Sequence, residues 1–144
     1  MLASLLGGIF LGNVDIAIVN IATSSIREHL HASGGALELI VSGYTLAYAM
    51  LLITSARLGS MRGYRPMFLL GLAVFTLSSL VCGLAPTATV LICARIVQGA
   101  GAALMASQVL IGIQLNFSGS ARGHALGLYA AVLSGSAVVG QVLG

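Results

Sequence analysis

Lysine is absent from this chain, and charge of any kind is scarce. Six arginines and three acids leave only 6% of the 144 residues charged, against about 25% in a soluble domain. That shortage excludes an ordinary water-facing surface. The net charge of +3 is no nucleic-acid footprint. The arginines lie in short breaks between apolar runs, or alone within one, and aromatics at 6% are too few for a stacking platform. Cys82 and Cys93 are the two cysteines. They have no metal-ligand spacing around them and read as small buried thiols. No nucleophile–base constellation is present, so no catalytic residues are assigned and an enzyme is not expected. The first dozen residues lack a basic region and a cleavage signature, and read as a helix start rather than a signal peptide.

What is abundant is apolar length. Hydrophobic residues make up 58% of the chain and the mean hydropathy is +1.08. Apolar runs cover residues 2–26, 37–55, 67–84, 88–110 and 123–144. Each approaches the ~20 residues that cross a bilayer as helix, and none alternates as a barrel strand would. The expected fold is an all-α polytopic membrane bundle, with five transmembrane helices in one region over 1–144. Arg57, Arg62, Arg65 and Arg122 fall in the second and fourth breaks, and only Arg27 in the other two. The excess of arginine places those breaks, and the N-terminus, on the cytoplasmic side. An odd number of spans with no polar cap at the end reads as part of something larger.

Two charges stand well inside apolar runs, Asp15 and Arg95. Charge at depth is costly and normally faces a partner or a wet cavity. Reckoned from the ~1.5 Å helical rise, Asp15 lies about 16 Å and Arg95 about 12 Å below the outer face. An arginine side chain bridges that difference. Gln98, three residues after Arg95, shares its face. A carboxylate suits proton coupling, because desolvation favours the neutral form and a nearby cation the charged one. A static ion pair joining two helices is the plainer alternative. Asn20 and Tyr44 are candidate cavity-lining residues, Tyr44 with Tyr48 one turn away on the same face. Gly123, Gly127, Ala131 and Gly135 form one small-residue ridge in the last run, and Ser136, Gly140 and Gly144 another. Such ridges suit close helix packing or a hinge.

These residues resemble the N-terminal part of a major facilitator superfamily transporter, most of all its fourteen-helix drug:proton antiporter branch. The run Asp15-Ile16-Ala17-Ile18-Val19-Asn20-Ile21-Ala22 is similar to that branch's helix-one signature. In the segment 57–65, Leu58, Gly63 and Arg65 match the superfamily's gating loop, with Ser60 where that loop has an acid. Arg95-Ile96-Val97-Gln98-Gly99-Ala100-Gly101-Ala102-Ala103 matches the helix-four motif most closely. The stretch from Gly135 to Gly144 resembles the antiporter motif of helix five, with Gly140 and Gly144 matching and Gln141 in place of its proline.

The resemblance implies proton-coupled export of drugs or small metabolites by alternating access, with Asp15 and Arg95 coupling the proton. No cofactor is implied, the proton gradient being the energy source. The implied setting is the plasma membrane. The implied partners are the lipid bilayer, a small-molecule substrate and a C-terminal transporter half. The alternative is a truncated, non-transporting membrane bundle or scaffold.

Overall fold

In the computed structural model, backbone structure is described for residues 2–31 and 33–143. Side chains are described over the same range except at 2–5, 20, 23, 30, 140, 141 and 143. The described residues form five helices: α1 (Leu2–Leu30), α2 (Gly34–Arg62), α3 (Tyr64–Gly83), α4 (Ala88–Asn116) and α5 (Gly119–Leu143).

Local chemistry sets the helix ends. Ser33 caps α2 by accepting the Ala36 N–H at 3.2 Å, and Thr87 caps α4 by accepting that of Val90 at 3.3 Å. Each side chain satisfies a main-chain donor that has no partner in the first turn. Between α2 and α3 only Gly63 intervenes, at φ 94°, a conformation that glycine adopts without steric cost. Pro66 follows within the first turn of α3, where its missing N–H costs nothing. The break between apolar runs at 56–66 thus holds a tight turn of one residue, since α2 runs on to Arg62 and α3 starts at Tyr64.

The expectation of five membrane spans is corrected. Among the described residues three helices, Gly34–Arg62, Tyr64–Gly83 and Ala88–Asn116, are long and apolar enough to cross a membrane. Within α1 the described apolar stretch is Leu6–Val19, with Asn13 and Asp15 inside it. In α5 the polar residues Ser120, Arg122 and His124 stand in the first two turns.

Helix α4 is the centre of the bundle, packed against both α2 and α3, with α1 touching it and α5 lying on α1. Its small residues make this possible. A Cβ on Gly101 would sit 2.8 Å from the Phe75 main-chain nitrogen, and one on Gly71 would sit 2.9 Å from the Gly101 oxygen. A Cβ on Gly99 would strike the Tyr44 carbonyl. Ile9, Tyr44, Phe68, Phe75, Met105, Val109 and Ile113 fill the core around this contact. Large apolar side chains such as Leu46, Ile53 and Leu77 point outward. In contrast, a Cβ at Gly123, Gly127 or Gly135 meets nothing within 4 Å, so that ridge is an open face of α5.

Gly101→Ala is expected to destabilise the bundle by about 1–3 kcal/mol, the usual cost of overpacking, because its neighbour is backbone. Gly127→Ala should be close to neutral. Unfolding in mixed micelles would check the contrast, and equal effects at the two sites would refute this account of the packing.

Candidate functional site

Four helices bring polar groups to one point within this apolar packing. Arg95 on α4 is 1% exposed. Its Nη1 donates to Asp15 Oδ2 on α1, forming an ion pair. The same nitrogen donates to Gln98 Oε1 at 2.7 Å. The guanidinium carbon lies 4.5 Å from the centroid of the Tyr44 ring on α2, within the range of a cation–π contact. Tyr48, one turn further along α2, stacks on Tyr44 with a 6.5 Å centroid separation and an interplanar angle of 4°. From α3 the Cys82 thiol donates to Gln98 Oε1 at 3.7 Å. Side chains lean toward the N-terminus of their helix, so those of Cys82 and Gln98 converge across antiparallel α3 and α4.

The pair is asymmetric. The Asp15 side chain keeps 21% of its surface accessible and that of Arg95 only 2%. The carboxylate is the open end of the pair and the guanidinium the sealed end. Arg95 Nε and Gln98 Nε2 are buried without a partner among the described residues. The cluster is therefore a polar network that is only partly satisfied, the kind of arrangement that functional sites retain at a cost to stability.

A cavity of about 230 Å³ adjoins this cluster, lined by Gly8, Asn13, Tyr44, Tyr48, Met105 and Tyr129 among others. Its wall is largely apolar and aromatic. Asn13 turns its amide back onto the Ile9 carbonyl at 3.0 Å. Asn13, Met105 and Tyr129 had not been singled out from sequence. Asn13 was legible as a polar residue in an apolar run two positions before Asp15; Tyr129 and Met105 carry no such signal.

The other candidates lie elsewhere. Leu58 is half-buried inside α2, Gly63 is the joint, and Arg65 is exposed at the start of α3. Gly135 is on the open face of α5. The side chain of Asn20, and Gly140 and Gly144, lie outside the residues whose surroundings are described. Arg122 donates to the Phe117 and Gln114 carbonyls at 3.0 and 2.8 Å, closing the end of α4.

Apolar helices around a buried ion pair and a small cavity define a polytopic membrane protein with a polar core site. The chain belongs to the Major Facilitator Superfamily, whose family model matches residues 5–144. That is a family of membrane transporters, not enzymes. With its spanning helices the chain is an integral membrane protein. It is similar to a methylenomycin A resistance protein of Streptomyces coelicolor, at 38% identity over 99% of this chain and 30% of that protein. It is 40% identical to a cephamycin export protein of Amycolatopsis lactamdurans, over 94% of this chain and 28% of that one. A tetracenomycin C resistance and export protein of Streptomyces glaucescens shares 34% over 95% of this chain and 26% of its own length. The chain thus spans under a third of each of these relatives.

Breaking one side of the pair strands a buried charge, which costs about 3–5 kcal/mol, whereas neutralising both sides often costs little. Asp15 is partly open, so the lower end of that range applies. Asp15→Asn should therefore lower unfolding stability more than the double variant Asp15→Asn/Arg95→Gln does. A double variant less stable than the single one would show that the pair does not carry this energy.

Proposed function

We propose that the whole protein exports small organic molecules, of the antibiotic kind that its relatives' names indicate, in exchange for protons. The observation that carries this reading is the asymmetry of the ion pair. Asp15 keeps 21% of its side-chain surface accessible, where a proton can reach it, while Arg95 is sealed at 2%. A proton on Asp15 cancels its attraction to the guanidinium. Gln98 Oε1 and the Tyr44 ring remain to hold Arg95, so the loss of one partner releases α1 from α4 without expelling the arginine. Asp15 is then the proton acceptor and Arg95 the group that reads its state. The cavity beside them, with its tyrosines and Met105, suits an apolar or aromatic substrate body.

The likeness to the fourteen-helix drug:proton antiporters supports this mechanism, and alternating access requires the remainder of such a transporter. The end of the bundle with the Gly63 joint carries Arg57, Arg62, Arg65 and Arg122, and on that count faces the cytoplasm. Gly8 of α1 packs against Phe68 near the start of α3, so the N-terminal end of α1 lies on that same side.

Asp15→Asn in the full-length protein is expected to abolish pH-gradient-driven efflux in membrane vesicles. Substrate binding should survive, because the cavity wall is unchanged. Efflux that continues at the parent rate would remove Asp15 from the proton path.

A further inference from the structure

A second buried polar cluster lies on α4, thirteen residues beyond Arg95, or about 20 Å along the helix. Gln108 is 2% exposed. Its Nε2 donates to the Ser55 carbonyl on α2 at 2.9 Å and to Ser107 Oγ at 3.0 Å. Gly59, one turn further along α2, is matched to it, since a Cβ there would run into the Gln108 amide. The other end of that amide, Oε1, is buried and meets no donor among the described residues. Just past Gly59, α2 passes through the single residue Gly63 into α3. A joint this short leaves little slack, so whatever grips α2 at Ser55 and Gly59 also grips the joint.

We propose that Gln108 is a positioning residue for transport, coupling α4 to the α2–α3 joint. A shift of α4 set off at the Asp15–Arg95 pair then moves the C-terminal end of helix α2, where Ser60 is exposed. A buried acceptor without a donor is costly. The unmet Oε1 therefore raises the energy of the arrangement seen and keeps it near that of an alternative in which the amide finds a donor. A two-state element needs such a small gap. The inference rests on the transport reading for its trigger, but the clamp itself is independent of substrate and proton.

The test uses the full-length protein carrying Ser60→Cys, an exposed position. The rate of maleimide labelling at that site is read by mass spectrometry of its peptide. With Gln108 present, adding Asp15→Asn should change the rate several-fold. With Gln108→Leu the response to Asp15→Asn should vanish, while thermal unfolding confirms that the variant is folded. An equal response in both backgrounds overturns the proposal. A flat response with Gln108 present also overturns it, and leaves the efflux test of Asp15 standing separately. Should Gln108→Leu not fold, Gly59→Ala/Gln108→Ala refills the space with a methyl group. Loss of the response there supports the clamp, and its survival refutes it.

Discussion

The guanidinium of Arg95 is the constraint on which the rest of the bundle depends. A charge in apolar packing survives only if its surroundings offer opposite charge, acceptors or a π face. No single helix supplies all three. Asp15 comes from α1, Tyr44 from α2 and Gln98 from α4 itself, with Cys82 of α3 donating to the same Gln98 oxygen that accepts from Arg95. Satisfying one arginine therefore fixes how four helices stand around it.

That requirement and the close packing of α4 are one arrangement. Tyr44 places its ring near Arg95 because its backbone runs against Gly99. Larger residues at Gly99, Gly101 and Gly71 would push α2 and α3 away and strand the charge. The small residues after Arg95 thus permit the helix contacts that also shield it. Beyond them Gln108 repeats the pattern on a smaller scale, a polar side chain made tolerable by a glycine on the facing helix. Helix α4 reads as a rigid rod with a polar grip at each end and a smooth middle.

Much of this was legible in the residues. Helical rise alone brought Asp15 and Arg95 within reach, and the spacing of Arg95 and Gln98 put both on one face. Tyr44 was singled out as a cavity residue, but its place against the guanidinium depends on the register of α2 against α4, which residue spacing within one helix does not encode. For the same reason the Gln108–Gly59 match and Tyr129 escaped notice. The ridge of α5 shows the converse. A four-residue repeat of small side chains establishes that a backbone can be approached, not that another helix does so, and among the described residues it is the less regular glycines of α1, α2, α3 and α4 that are in contact.

The same site divides its polar groups unequally between α1 and α4. Hydropathy sums over all sides of a helix, whereas a site needs polar groups on one side only. Asn13, in the cavity wall, and Asp15, in the ion pair, stand within α1. Helix α4 carries Arg95, Gln98 and Gln108, while Leu, Ile, Val and Ala fill much of the rest of its length. The carboxylate on α1 is the open end of the pair, and the guanidinium on α4 is the buried one. That division is one of access: the carboxylate is reachable and the guanidinium is shielded, so their attraction is little screened by solvent.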